Sequence, residues 1–312
     1  MHKYFRAIGF MDEFLPSELV SKLCLGGAGK TKRIYSEVRD ENDDITIMQT
    51  DIMVTDELGI TFVEKKKGDM TEQLDNCFPF LDTDVISSRE ETSVESKIDY
   101  LASFIGATDD VHFGVTMIYR LRNIVEFLRT YSSSYAPMEK VSVSVSGLSV
   151  GASIVLPIHK TPMQKQEKIN AELQRVKLMH AARSGDQSAM RELNQQEMKT
   201  YFQLWQRIQF QSDDILSVVE SSFIPYGAEC ELFTVLGDIE EVREVTNPIT
   251  DEVIFVMKVI CNGVPFRIAI NRRDLEGEPA VGRRFKGPVW LQGKINFPAS
   301  GTGNSTIYLT ED

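Results

Sequence analysis

The chain has 312 residues, 42% of them hydrophobic and 26% charged, an ordinary globular composition that favours about two domains. Its net charge is −12, from 46 acids against 34 Lys and Arg, and that excess repels polyanions at long range. A general nucleic-acid coat protein is therefore excluded, and any anion site must be local.

The first residues, MHKYFRAIGFMDEF, hold too short an apolar run for a secretion signal, and Asp12 and Glu13 interrupt it. No later stretch approaches the length of a membrane span. Cys24, Cys77, Cys230 and Cys261 are scattered, so neither a metal knuckle nor a redox pair is expected, and a reduced cytoplasmic setting fits. Pro16 and Glu18 open a short helix that runs through Leu25. The residues at its end, LCLGGAGKT, look like a phosphate-binding loop, but the pattern G-x-x-x-x-G-K-[ST] puts its first glycine at Cys24. The order of elements is also wrong, because a helix precedes the glycines and a strand follows. Gly26 and Gly27 are read as a helix terminator, and Lys30 as no phosphate ligand.

Alternating apolar residues, Ile45, Ile47, Ile52 and Val54, with turn clusters at DENDD and DELG, predict an antiparallel meander. DENDD, beginning at Asp40, is not a calcium loop: the sixth position is Ile45 where glycine is needed, and the twelfth is Asp51. Residues 82 to 97 are polar and acidic and read as a surface connection. From Val115 to Leu128 a strand pattern passes into a helical one, and a strand turning into a short helix is expected. KVSVSVSGLSVGASIVLPI reads as a hairpin pair. Its GLSVG matches the G-x-S-x-G of a nucleophile elbow at Ser149, but the elbow needs a strand-to-helix turn, and here both flanks are strands. His112, His159 and His180 supply no base at any telling spacing.

A helical segment is predicted over about 161 to 222. Thr161, Pro162 and Gln164 form a capping box ahead of Ile169, Leu173, Val176 and Met179. Gly185 ends that helix, Asp186 caps a short successor, and Asn194 with Glu197 caps a third before Tyr201, Phe202 and Trp205. Asp213 and Asp214 start a last short helix, and FIPYG marks a boundary near Pro225. The remainder is β-rich. Asn262-Gly263 is the strongest hairpin signal, and a two-residue turn there sets Val259 opposite Phe266, Met257 opposite Ile268 and Phe255 opposite Ile270. Five short strands with one apolar face suggest a small OB-like β-barrel, and the final ASGTGNSTIYLTED reads as a loose tail.

Between Arg267 and Lys294 stand seven basic residues against three acids, a local balance of +4. The hairpin register also sets Lys258 opposite Arg267, a like-charge pair that needs compensation by a bound phosphate or by an acid from earlier in the chain. The candidate anion- or partner-binding residues are Lys258, Arg267, Arg272, Arg273, Arg283, Arg284, Lys286 and Trp290. Trp290, with Phe285, either stacks bases or fills the barrel core.

MHKYFRAIGF, LSVGASIVLPI, ESSFIPYGAECELFTVLGDI and INRRDLEGEPAVGRRFKGPVWLQGKINFP resemble a bacterial family known only as a domain of unknown function. The resemblance covers nearly the whole chain and implies a bacterial, cytoplasmic, full-length protein with no assigned activity. The expected architecture is α+β: an antiparallel-sheet domain with its helical segment at 1–225, a small β-barrel at 226–298 and a flexible tail at 299–312. The expected function is a non-enzymatic interaction or regulatory protein with a protein partner. No cofactor, metal or membrane is expected, no nucleophile–base–orienter set is visible, and the alternative is nucleic-acid binding through the basic segment.

Overall fold

A computed structural model describes residues 3–11, 33–40, 44–68, 70–71, 73–96, 104–130, 141–158, 161–210, 215–297 and 307–309. The phosphate-loop motif with Lys30, the helix expected from Pro16, His159 and the Asp213–Asp214 start lie outside the described residues. The architecture is mixed α+β, built on two sheets.

A buried 3-10 helix, Lys3–Ile8, leads into the expected meander of β1 (Arg33–Asp40), β2 (Ile45–Met53), β3 (Leu58–Lys67) and β4 (Gln73–Leu81). These four strands are antiparallel in sequence order. The second sheet holds β5 (Thr92–Ser96), β6 (Phe104–Thr108), β7 (Met117–Leu121), β8 (Ser142–Ser149), β9 (Ala152–Val155), β10 (Ser222–Pro225), β11 (Leu232–Thr246), β12 (Val253–Cys261), β13 (Val264–Asn271), β14 (Leu275–Glu276) and β15 (Arg284–Asn296). Between β7 and β8 comes α1 (Ile124–Thr130), so the mixed pattern after Val115 does resolve into a strand followed by a helix. Between β9 and β10 the chain leaves the sheet as a helical hairpin, α2 (Pro162–Arg183) and α3 (Gln187–Phe210), and returns through α4 (Ile215–Val218).

The Asn262-Gly263 turn has the predicted consequence. Both residues take positive φ, 50° and 85°, the geometry of a type I′ turn, and β12 and β13 pair with Val259 opposite Phe266, Met257 opposite Ile268 and Phe255 opposite Ile270. Lys258 does face Arg267.

Other expectations are corrected. β8 and β9 do not pair with each other. Both run antiparallel to β15, β8 along Leu291–Asn296 and β9 along Arg284–Lys286. Gly147 is therefore not a turn glycine but a close approach, since a Cβ there would lie 2.1 Å from Val289 Cγ1. Residues 82–97 are not simply a surface connection: Ser87 and Ser88 are buried, Ser88 bridges Val143 of β8, and Thr92–Ser96 is β5. Serine suits that place because its hydroxyl meets the backbone, as where Val145 N donates to Ser87 Oγ at 3.0 Å. Asn194 and Glu197 cap nothing. α3 runs through them as one helix of 24 residues, because Leu193 and Ala189 stay packed on one side. In the expected loose tail, Ile307–Leu309 forms β16, antiparallel to β1. Ser222–Pro225, expected to break the chain, is the edge strand β10 on β11.

β8 also alters the expected β-rich remainder. It lies parallel to β13 on one side and antiparallel to β15 on the other. β11 pairs with β12 and with β15, and β12 with β13, so the pairings run β11–β12–β13–β8–β15 and return to β11. Phe233, Phe255, Met257, Phe266, Ile268 and Phe285 form one apolar cluster with Val143 and Val145 of β8. A second cluster joins the 3-10 helix and the meander to the other side of the same strands, through Leu148, Leu232, Ala269 and Trp290.

A chain cut at the expected 225/226 division would therefore lose the strand between β13 and β15. Val143, Val145 and Leu148 are fully buried, and burial of each such side chain contributes about 1.5–3 kcal/mol. That loss rivals the whole stability of a small domain, about 5–15 kcal/mol. Residues 224–298 alone are expected to show no cooperative thermal melt, whereas residues 141–298 joined across a shortened hairpin should melt cooperatively. A cooperative melt of 224–298 would contradict this reading of β8.

Candidate functional site

The basic residues of the C-terminal strands are dispersed, and most are engaged within the chain. Arg267 Nη1 donates to Glu57 Oε2 at 3.1 Å, and Arg243 reaches the same carboxylate oxygen. Glu57 sits buried between β2 and β3, so an acid from the meander relieves the Lys258–Arg267 repulsion on one side. Lys258 turns the other way, its Nζ 3.0 Å from Glu240 and 3.9 Å from Glu241. Arg273 pairs with Glu252 at 2.6 Å, and Arg272 lies over the Phe255 ring within 4 Å of Glu244 and Glu278. Arg283 donates to the Glu278 carbonyl at 2.6 Å, and Lys286 is exposed. Trp290 is 2% exposed and stacks flat on Tyr4, ring centroids 5.0 Å apart, while Phe285 is fully buried; both fill the core.

Arg284 differs from the others. It is 2% exposed and donates four hydrogen bonds to three carbonyls: Nε and Nη2 to Leu156 at 3.0 and 2.8 Å, Nη2 to Leu216 at 2.6 Å, and Nη1 to Val219 at 2.8 Å. Leu156 is just upstream of the helical hairpin, and Leu216 and Val219 are just downstream. One guanidinium of β15 thus ties together both stems of the excursion. Burial lowers its pKa, opposed by the charges of Asp238 and Glu220, and an arginine remains protonated regardless.

The hairpin itself begins as predicted. Thr161 Oγ1 accepts from Gln164 N, Gln164 returns the bond to Thr161 N, and Pro162 takes the first turn. Gly185, at φ 95°, makes the turn, and Asp186 Oδ1 accepts from Ser188 N at 2.8 Å to start α3. What the helices lack is burial. Among the residues of α2 and α3 whose side chains are described, only Ala189 and Leu193 are buried. Met163, Ile169, Leu173, Met190, Met198, Tyr201, Phe202 and Trp205 are all more than two-fifths exposed, and Phe202 stacks on Trp205 at 6.4 Å. Single exposed apolar residues are ordinary; here they recur along both helices.

Between the hairpin and the β11, β12 and β15 strands lies an open cleft of about 1730 Å³. Ordinary small-molecule pockets are about 300–1,000 Å³. Ile169, Leu193, Tyr201, Ile260 and Val281 supply its apolar lining, and its six carboxylates are Glu172, Glu197, Glu220, Asp238, Glu240 and Glu241. The sequence reading missed this site because its walls are 112 residues apart, from Glu172 to Arg284.

One titratable cluster lies where α2 meets the sheet. Asp110, 3% exposed, accepts from Ser88 Oγ at 2.6 Å and from His112 N at 2.9 Å, and its Oδ1 is 2.6 Å from His112 Nδ1. Burial opposes ionisation of Asp110, but the hydrogen bonds from His112 and Ser88 outweigh it and hold the carboxyl below its ordinary range. The Asp110 bond in turn raises His112, against burial, with help from the charges of Glu172 and Glu90. Glu90 also lies 3.7 Å from His180 and 3.8 Å from Arg183. Ser88 donates to the aspartate rather than to the imidazole, so these three residues make no nucleophile–base pair. Ser149 is fully buried in β8 and donates to the Gly151 carbonyl. Among the described residues no group of His, Cys, Asp and Glu is placed to hold a metal ion, and no helix is long and apolar enough to cross a membrane.

The family model DUF3881, a domain of unknown function named from an E. rectale gene description, matches residues 5–293. The chain belongs to this bacterial family. The matched span takes in the meander, the helical hairpin and most of the pairing circuit, and so both walls of the cleft. Comparison with curated proteins and with solved structures finds no match.

The Asp110–His112 pair makes stability depend on pH in a defined direction. A histidine whose folded pKa exceeds its unfolded value, about 6.5, contributes stability that is complete below that value and is lost as pH rises through the folded pKa. His112→Asn is expected to flatten the fall in urea midpoint between about pH 6 and pH 8. An unchanged slope in the variant would show that His112 does not carry the dependence.

Proposed function

We propose that this DUF3881 chain is a non-enzymatic interaction or regulatory protein whose contact surface is the α2–α3 hairpin with the cleft beneath it. The observation that carries the reading is the hairpin's exposure: α2 and α3 span 22 and 24 residues, and among those whose side chains are described only Ala189 and Leu193 are buried. Isolated helices of this kind gain little from propensity alone and draw their stability from tertiary packing. A partner laid on the exposed Met and aromatic side chains supplies that packing, and Met-rich surfaces adapt to varied partners.

The pairing circuit β11–β12–β13–β8–β15 is read, on the same footing, as a small closed barrel of OB-like kind that serves as the rigid base. A cytoplasmic setting belongs to the same proposal, supported by the scattered cysteines. Nucleic-acid binding through the basic segment has less support. Arg267 is committed to Glu57, Arg284 to three carbonyls and Trp290 to Tyr4, and the cleft beneath the hairpin is acidic.

Site-specific photo-crosslinking in living cells tests the reading. A photoreactive residue at Met198 or Phe202 is expected to give one discrete protein adduct, and the same residue at Ser93 on β5 should give none. Adducts to RNA or DNA, or no adduct from the hairpin, would contradict it.

A further inference from the structure

We infer that the occupant of the cleft is a cationic amphipathic helix of a partner protein. The inference rests on the interaction reading above and names the chemistry of the partner. Two properties of the cleft converge on it. Its apolar lining is contributed from both sides, by Ile169 of α2 and Tyr201 of α3 on one wall and by Ile260 and Val281 on the other. Leu193 of α3 extends the apolar lining on the hairpin side, so an amphipathic helix can lay its apolar side along the cleft.

The second property is charge. Six carboxylates line the cleft against three guanidiniums, Arg175, Arg283 and Arg284, a balance of −3. Those cations are already engaged: Arg175 lies 3.7 Å from Glu172, Arg283 donates to a backbone carbonyl, and Arg284 is buried on three carbonyls. Counting Lys258, which approaches Glu240 and Glu241 from outside the cleft, the balance is still −2. The acids lie on both walls, Glu172 and Glu197 on the hairpin and Asp238, Glu240 and Glu241 on β11. A segment between them meets carboxylates and apolar side chains on each wall. Lysines and arginines on the flanks of an amphipathic helix match that arrangement, while an acidic helix would be repelled and a neutral one would gain nothing from the walls.

The test uses the full chain and three fluorescent peptides of one length, leucine on one face and Lys, Gln or Glu on the other, followed by anisotropy. The Lys peptide is expected to bind at least tenfold more tightly than the Gln peptide, and the Glu peptide not at all. Binding of the Lys peptide should weaken with salt. The double change Glu197→Lys with Glu241→Lys should weaken it at least tenfold. Glu91→Lys with Glu95→Lys, the same change in net charge at an exposed site on and beside β5, should leave it within twofold. Equal binding of the Lys and Gln peptides, abolished by Tyr201→Ser, would overturn the cationic partner while leaving the interaction reading intact. Equal weakening by both double changes would mean attraction by the bulk charge and would also overturn it. If no peptide binds and the chain instead dimerises through Tyr201, the occupant is a second copy and the inference fails. If no peptide binds, the chain is monomeric and the crosslinks are also absent, both readings fail together.

Discussion

The Arg284 guanidinium sits at the place where the chain leaves the sheet and where it comes back. It is buried, it is charged, and its hydrogen bonds end on the carbonyls of Leu156, Leu216 and Val219. Only arginine offers a planar fork with enough donors to satisfy three acceptors at once, and hydrogen bonds to a charged group contribute about 1.5–3 kcal/mol each. Phe285 beside it is buried in the apolar cluster of the pairing circuit, so the clamp is anchored to that cluster. The hairpin's position over the sheet, and with it the cleft, depends on this contact. Ser221 Oγ adds a second tie, donating to Asn262 Oδ1 at 2.6 Å at the tip of the β12–β13 turn.

The rest of the fold divides burial unequally. The meander and the 3-10 helix pack on one side of the larger sheet, where Tyr4 stacks on Trp290 and Phe78 meets it edge-on at 6.5 Å. The other side of the same strands holds the second cluster. Those two clusters bury most of the apolar side chains, whereas among the described side chains of α2 and α3 only Ala189 and Leu193 are buried. Acids line the cleft beneath the hairpin, and the Asp110–His112 pair lies at its foot.

Local signals in the sequence translated well into local structure. Asn262-Gly263 fixed the β12–β13 register down to individual pairs, because two residues at positive φ leave one way to close the turn. Thr161 with Gln164, and Gly185 with Asp186, set three helix ends, because caps are satisfied within one turn. Signals that depend on distant partners were misread. β8 looked like half of a hairpin with β9, since its alternation of Val and Ser fits any strand and says nothing of a parallel neighbour more than a hundred residues away. Arg284 looked like one member of a basic patch, because its acceptors are backbone carbonyls, which no sequence pattern displays. The like-charge pair Lys258 and Arg267 was the exception. Its mismatch was legible and called for either a bound phosphate or an acid from earlier in the chain, and Glu57 is such an acid for Arg267.

The central claim is that the Arg284 guanidinium is the main anchor of the hairpin over the sheet. Hydrogen exchange by mass spectrometry on the full chain and on Arg284→Met tests it most directly. The account predicts that amides of residues 162–210 in the variant lose at least tenfold in protection, while those of β8, β12 and β13 keep theirs. Equal protection of the hairpin in both proteins, or a uniform loss across every strand, would contradict it.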